Sequence, residues 1–232
     1  SGKGRYQRFD AEGYGRMARR TALRADLAAA VPQRQLRLEY QPVADLRTGE
    51  IVGVEALVRW HHPTLGPLEP AAFIPLAEET GDIEAIGCWV LDSASRQAAR
   101  WRTTMSHCRN LWVSVNLSTL QLPSPRNLAA IEAILADPAA QSDKLVLEVT
   151  ETALASSVDG GITALNRLKG FGVRIAIDDF GTGYSSLSAL AELPADILKI
   201  DRSFLTGSAS DPPSAAMLEG ILGLACKLNL DA

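Results

Sequence analysis

Residues 144–179 read KLVLEVTETALASSVDGGITALNRLKGFGVRIAIDD, and the order of patterns in this stretch decides the fold class. Lys144–Val149 is an apolar run with the length of a strand. Ile162–Lys169 follows with helical spacing, and Val173–Ile177 is a second apolar run. Short strands that are apolar on both faces, separated by an amphipathic helix, are the signature of a parallel βαβ unit. The pattern repeats outward. Leu111–Leu117 reads as a strand and Leu128–Ala136 as its helix, and Ile197–Ile200 reads as a strand followed by a helix over Ala215–Leu228. Upstream, Ile83–Arg102 reads as a helix. Leu36–Val43 and Ile51–Val58 read as a hairpin around the Thr48-Gly49 turn signal, and a helix over Thr21–Ala30 ends before Pro32. Two closures fit this order: an open doubly wound sheet or a (β/α)8 barrel. No GxGxxG follows an early strand, so a dinucleotide site is unsupported. Six strands are expected, two short of a barrel, and the sequence stops at Asp231-Ala232 where another strand should begin.

Composition bounds the function. The 232 residues hold 23 Lys+Arg and 27 Asp+Glu, a formal charge of −4, with 47% apolar and 22% charged residues. That is globular usage and excludes disorder, collagen and coiled coil. The acidic balance argues against broad nucleic-acid binding. It allows a small phosphate ligand, because a metal ion can supply positive charge. No apolar run approaches a membrane span, and the opening SGKGRYQRFD lacks the pattern of a signal peptide. Cys88, Cys108 and Cys226 are far apart and form no CxxC pair, so neither a disulfide framework nor a zinc site is suggested. A reduced, cytoplasmic setting is the expectation.

The polar residues sit at informative places. Asn116 ends WVSVN, Glu148 lies near the end of LVLEV with Glu151 three residues on, and Asp178 and Asp179 end RIAIDD. Lys199 lies near the end of ILKI, and Glu55 sits inside VGVEALVRW. Parallel α/β folds bind ligands at the carboxyl ends of their strands, so these groups are expected to converge on one mouth. Crowded carboxylates repel unless a cation neutralises them, and Glu, Asp and Asn oxygens suit Mg²⁺ or Mn²⁺ better than zinc. Such a site binds phosphoryl oxygens and activates water, and a nearby Lys orients that water or stabilises charge. The residue types point to metal-assisted hydrolysis of a phosphoester.

Each residue also has a plainer reading. An acid or Asn at a strand end often caps the next helix. The Asp178-Asp179 pair exceeds what one cap needs. Glu55 amid aliphatics needs a partner, and Lys199 could simply be paired with an acid. The segment Asp178–Ser186, with Phe180, Gly181, Gly183 and Ser185, reads as a loop that positions metals or acts as a lid. A plain turn is the alternative. His61-His62-Pro63 reads as a solvated turn rather than a metal pair, and the tryptophans and Phe73 read as packing.

Taken together these motifs resemble the EAL domain, a cyclic di-GMP-specific phosphodiesterase family. They are Glu55-Ala56-Leu57-Val58-Arg59-Trp60, His62-Pro63, Gly66, Pro70–Glu78, Asn116-Leu117-Ser118, Glu148-Val149-Thr150-Glu151, Asp178–Ser186 and Lys199-Ile200-Asp201. The resemblance implies an α/β, TIM-like (β/α)8 barrel with an antiparallel first strand, here without its last two strands. It divides the chain into 1–20, the tail of a GGDEF-like domain with a linker, and 21–232, the EAL domain. Glu55, Asn116, Glu148 and Asp178 would hold one divalent metal, Mg²⁺ or Mn²⁺, with Asp179 serving a second. Lys199 would contact the attacking water. Glu151 would anchor the glycine-bearing loop, which also contributes to dimerisation. Gln41 and Arg59 would contact the ligand's guanine and phosphate. A metal-activated water would open cyclic di-GMP to linear pGpG. The implied partners are cyclic di-GMP, a second copy as homodimer and an adjoining GGDEF-like domain, and the parent could be membrane-anchored with this part in the cytosol. The family motif that follows the last helix, which supplies a further Glu and a Gln, lies beyond Ala232. A non-catalytic cyclic di-GMP-binding module is the alternative function, and a barrel enzyme of another metal-dependent class is a weaker third.

Overall fold

The computed structural model describes residues 20–151, 160–181, 193–204 and 212–232. The expected tail over 1–20 therefore lies outside the described residues except for Arg20, as do Gly183 and Ser185.

Helix α1 (20–27) buries Leu23 and Leu27 and leads to β1 (Leu36–Ala44) and β2 (Ile51–His62), which pair antiparallel. Their turn is closed by Asp45, whose Oδ1 accepts from the Arg47 and Thr48 amides at 2.8 and 3.0 Å, while Gly49 supplies a φ of 72°. This is the hairpin expected from Thr48-Gly49. A short strand, β3 (Gly66–Leu68), folds back on the end of β2, and α2 (Pro70–Thr80) follows. Neither carries a sequence signal of its own. Three residues are too few for a periodic signal, and Pro75 lies inside the helix, where sequence rules place a break.

Helix α3 (Ile83–Thr104) turns one apolar stripe inward: Ile83, Ile86, Val90, Leu91, Ala94 and Ala98 are buried at helical spacing. Then come β4 (Trp112–Asn116), α4 (Pro125–Ala136), β5 (Leu145–Thr150), α5 (Gly160–Lys169), β6 (Arg174–Phe180), β7 (Ile197–Ile200) and α6 (Pro212–Lys227). The strand order is β1-β2-β4-β5-β6-β7, with β2 to β7 parallel and β3 off the path. Six strands on one path, the first antiparallel, match the sequence expectation. Beyond α6, Asp231 makes a parallel bridge to Ile197, and its carbonyl accepts from the Leu198 amide at 2.7 Å.

The sheet is curled. From β2 to β7 there are four strand-to-strand steps, which span about 19 Å in a flat sheet. Yet Lys199 Nζ on β7 lies 3.2 Å from Glu55 Oε2 on β2. Two side chains cannot bridge a flat sheet of that width, so the strands wrap towards closure as in a barrel. That excludes the open doubly wound alternative.

Candidate active site

The site begins with strand parity. Side chains two apart share a face, and residues paired across a ladder share it too. Glu55 pairs with Gln41 on β1 and with Ser114 on β4; Asn116 pairs with Glu148, and Thr150 with Asp178. The inner face therefore receives Glu55 from the middle of β2 and Asn116 and Glu148 from near the ends of β4 and β5. Lys199 reaches the same place from β7.

The contacts are close. Asn116 Nδ2 donates to Glu55 Oε1 at 2.9 Å. Lys199 Nζ lies 3.2 Å from Glu55 Oε2, 2.5 Å from Glu148 Oε2 and 3.1 Å from Asp178 Oδ1. Three carboxylates from three strands thus converge on one cationic atom. The acid side chains are 19%, 3% and 18% exposed respectively. Burial pushes the Glu148 carboxyl above the ordinary carboxylate range; Lys199 opposes the shift and Glu55 adds to it. Burial works against the charge on Lys199, but Glu148, Asp178 and Glu55 outweigh it and hold the ammonium above its ordinary pKa. The plainer expectation for Lys199, an ion pair with an acid, is what the structure contains, threefold.

Among the described residues no trio of His, Cys, Asp and Glu side chains stands in metal-ligand arrangement. The donor set nevertheless fits a hard cation. It offers three carboxylates and an amide, all oxygen donors, and a single positive atom already lies within reach of all three acids.

Asp179 solves a parity problem. Consecutive strand residues face opposite ways, so Asp178 and Asp179 could not both serve one face of a regular strand. The β6/β7 register shifts between Ile177 and Phe180, and Asp179 takes φ 54°. A bulge with a left-handed residue re-aims side chains and is a strained conformation of the kind that collects at functional sites. The Asp179 pKa is raised first by burial and then by the Asp178 and Asp201 carboxylates, so it belongs to the same acidic field. Just beyond, the Gly181 amide donates to Glu151 Oε2 at 2.8 Å, and Gly181 has φ 97°. Glu151 is buried. Phe180 is buried.

Gln41 is exposed beside Glu55. Arg59 shares the Glu55 face four residues on, but it is already engaged. Its Nε lies 2.8 Å from Glu39 Oε2 and 3.4 Å from Glu69 Oε2, and its side chain is 15% exposed. These two acids escaped the sequence reading. Glu39 was legible from parity, two residues before Gln41. Glu69 was not, since it stands at the N-cap of α2 yet makes no capping hydrogen bond.

One expectation is corrected. His61 is exposed but His62 is no solvated turn residue; it closes β2 with 5% exposure. Its Nε2 lies 3.1 Å from Asp26 Oδ2, and its Nδ1 accepts from the Thr64 and Leu65 amides at 3.3 Å each. Beside it Trp60, fully buried, donates Nε1–H to Gln35 Oε1 at 2.8 Å and meets Phe73 edge-on at 5.6 Å. The packing expectation for Trp60 and Phe73 holds.

Comparison with known proteins agrees with this geometry. A signalling protein of Caulobacter vibrioides is 41% identical over 230 residues, covering 99% of this chain and 28% of its own length. The bifunctional diguanylate cyclase/cyclic di-GMP phosphodiesterase MucR of Pseudomonas aeruginosa is 44% identical over 205 residues, covering 88% of this chain and 30% of its own length. The chain thus spans about a third or less of these curated relatives. The structure of the PaMucR phosphodiesterase in complex with c-di-GMP superposes with TM-score 0.82 at 43% identity, covering 90% of this chain and 84% of that one. Among the described residues no helix is long and apolar enough to cross a membrane. Residues 24–232 match the EAL domain family, and the chain belongs to it.

Proposed function

We propose that this chain hydrolyses cyclic di-GMP to linear pGpG with a divalent cation, Mg²⁺ or Mn²⁺, held at the mouth of the barrel. The observation that carries the reading is the convergence of Glu55, Glu148 and Asp178, from three strands, on one cationic position beside Asn116. The phosphodiesterase name and the bound c-di-GMP of the MucR relatives supply the substrate class.

In this reading Glu55, Asn116, Glu148 and Asp178 hold the first metal, and Asp179 serves a second. The metal, when bound, polarises a phosphoryl oxygen and makes a water more acidic. Lys199, on its flexible stem, orients the attacking water and offsets charge on phosphorus. Arg59 presents a planar fork to phosphate, which requires release from Glu39 and Glu69. Gln41, on the same face at the rim, is placed for a base edge. Glu151 keeps the glycine-bearing segment in position through the Gly181 amide. A homodimer, a division at residue 20 with a GGDEF-like domain before it, and a cytoplasmic site of action belong to the same proposal. The GGDEF-like neighbour is supported by the cyclase half of the MucR name.

Incubation with cyclic di-GMP, with chelator or with Mg²⁺ or Mn²⁺, tests the reading by chromatography. Linear pGpG in the metal arms alone is the expected result. Metal-independent binding without product would mark the chain as a cyclic di-GMP-binding module instead.

A further inference from the structure

We propose that Lys199 is a built-in counter-cation that holds the acid ring together in the metal-free protein and competes with the divalent ion for it. The inference rests on the proposed metal reading and concerns how that metal is admitted.

The geometry is specific. An ammonium has three donors, and Lys199 faces one carboxylate on each of β2, β5 and β6, at 3.2, 2.5 and 3.1 Å. Asn116 adds a hydrogen bond to Glu55 but no charge. No other described Lys or Arg forms an ion pair with these three acids. Remove the ammonium, and three carboxylates, each at least four-fifths buried, face one another unneutralised. Leaving buried charge unpaired is strongly destabilising.

A shared metal draws carboxylate oxygens to about 2.0–2.6 Å. Nζ stands among these oxygens, 3.2, 2.5 and 3.1 Å from them, in the space a shared ion would take, and two cations cannot occupy it together. Metal binding therefore requires Lys199 to withdraw. Its four-carbon stem allows this by a change of rotamer, without moving a strand. The apparent metal affinity is then the intrinsic affinity scaled by the fraction of molecules with Lys199 withdrawn.

Lys199→Met keeps the stem and deletes the charge. In chelator-treated protein its melting temperature should fall by roughly 5 °C or more. Calorimetry should show Mn²⁺ binding about tenfold tighter than in the parent. Lys199→Arg, which keeps the charge, should hold most of the metal-free melting temperature. A Lys199→Met variant that melts like the parent, or binds Mn²⁺ no more tightly, would overturn the proposal while leaving the metal reading intact. A parent protein that binds no Mn²⁺ would overturn both. If Lys199→Met does not fold without metal, the Glu55→Gln/Lys199→Met pair decides. Regained folding is expected because one repelling carboxylate is gone, and a double variant no better than the single overturns the proposal.

Discussion

Strands β2, β4, β5 and β6 begin and end in different surroundings. Towards the carboxyl ends of β4, β5 and β6 stand Asn116, Glu148 and Asp178, and with Glu55, mid-strand on β2, the three acids gather on Lys199 while Asn116 bonds Glu55. At their other ends the neighbours are aromatic and aliphatic. The Arg174 guanidinium lies 5.7 Å from the Trp112 ring, Arg102 Nη1 donates to the Leu111 carbonyl at 2.9 Å, and on the face opposite Glu55 Tyr40, paired with Ala56, meets Trp101 edge-on at 4.7 Å. A cavity of about 240 Å³ there is lined by Tyr40, Pro42, Ile51, Val54, Trp101 and Leu111 among others. Burial raises the Tyr40 hydroxyl pKa to about 12. One end concentrates repelling acids that add nothing to packing. The other supplies packing. The difference teaches that stability and chemistry are divided along the strand axis, the arrangement expected of barrel enzymes.

Substitutions at the two ends should therefore fail in different assays. Glu55→Ala is expected to show the largest effect: cyclic di-GMP turnover falls about 10³-fold, while the chelator-treated melting temperature changes little or rises. An active Glu55→Ala would remove the mouth from the chemistry. Next, Trp101→Ala at the opposite end should lower unfolding free energy by about 3 kcal/mol in a denaturant titration, with kcat per folded molecule unchanged. If kcat fell as well, the two ends would be coupled and the division wrong. Arg59→Ala should raise KM by roughly 10- to 100-fold with a smaller change in kcat, because it deletes a phosphate fork and not a reacting group. Smallest, Glu151→Gln should reduce kcat severalfold by weakening the hold on the Gly181 amide, a change of about 1 kcal/mol. Stopped-flow and steady-state kinetics on the same sample measure both.

Much of this was visible in the residues. The runs around Val113, Leu147 and Ile175 identified parallel strands, because a strand buried on both faces must be apolar along its length. The acids at their ends were visible for the same reason, as polar breaks in apolar runs. Distance along the sheet was not visible. Nothing local in ILKI announces that Lys199 reaches Glu55, since that contact depends on the curl of five strands. The bulge at Asp179 was hidden because a left-handed aspartate carries no pattern that separates it from a regular strand residue. The divergence of adjacent histidines argues against a metal pair but says nothing of burial, and the partner of His62 is Asp26, 36 residues earlier. Of the Glu39–Arg59–Glu69 group only Glu39 follows from strand parity; Glu69 reaches Arg59 through the three-dimensional packing.

The central claim is geometric, and crystals of the protein soaked with Mn²⁺ and cyclic di-GMP test it most directly. Anomalous scattering should place manganese among Glu55, Asn116, Glu148 and Asp178, with a phosphate of the dinucleotide beside it and Lys199 withdrawn from the ring. Manganese bound elsewhere, or a dinucleotide seated away from these four residues, would contradict the account.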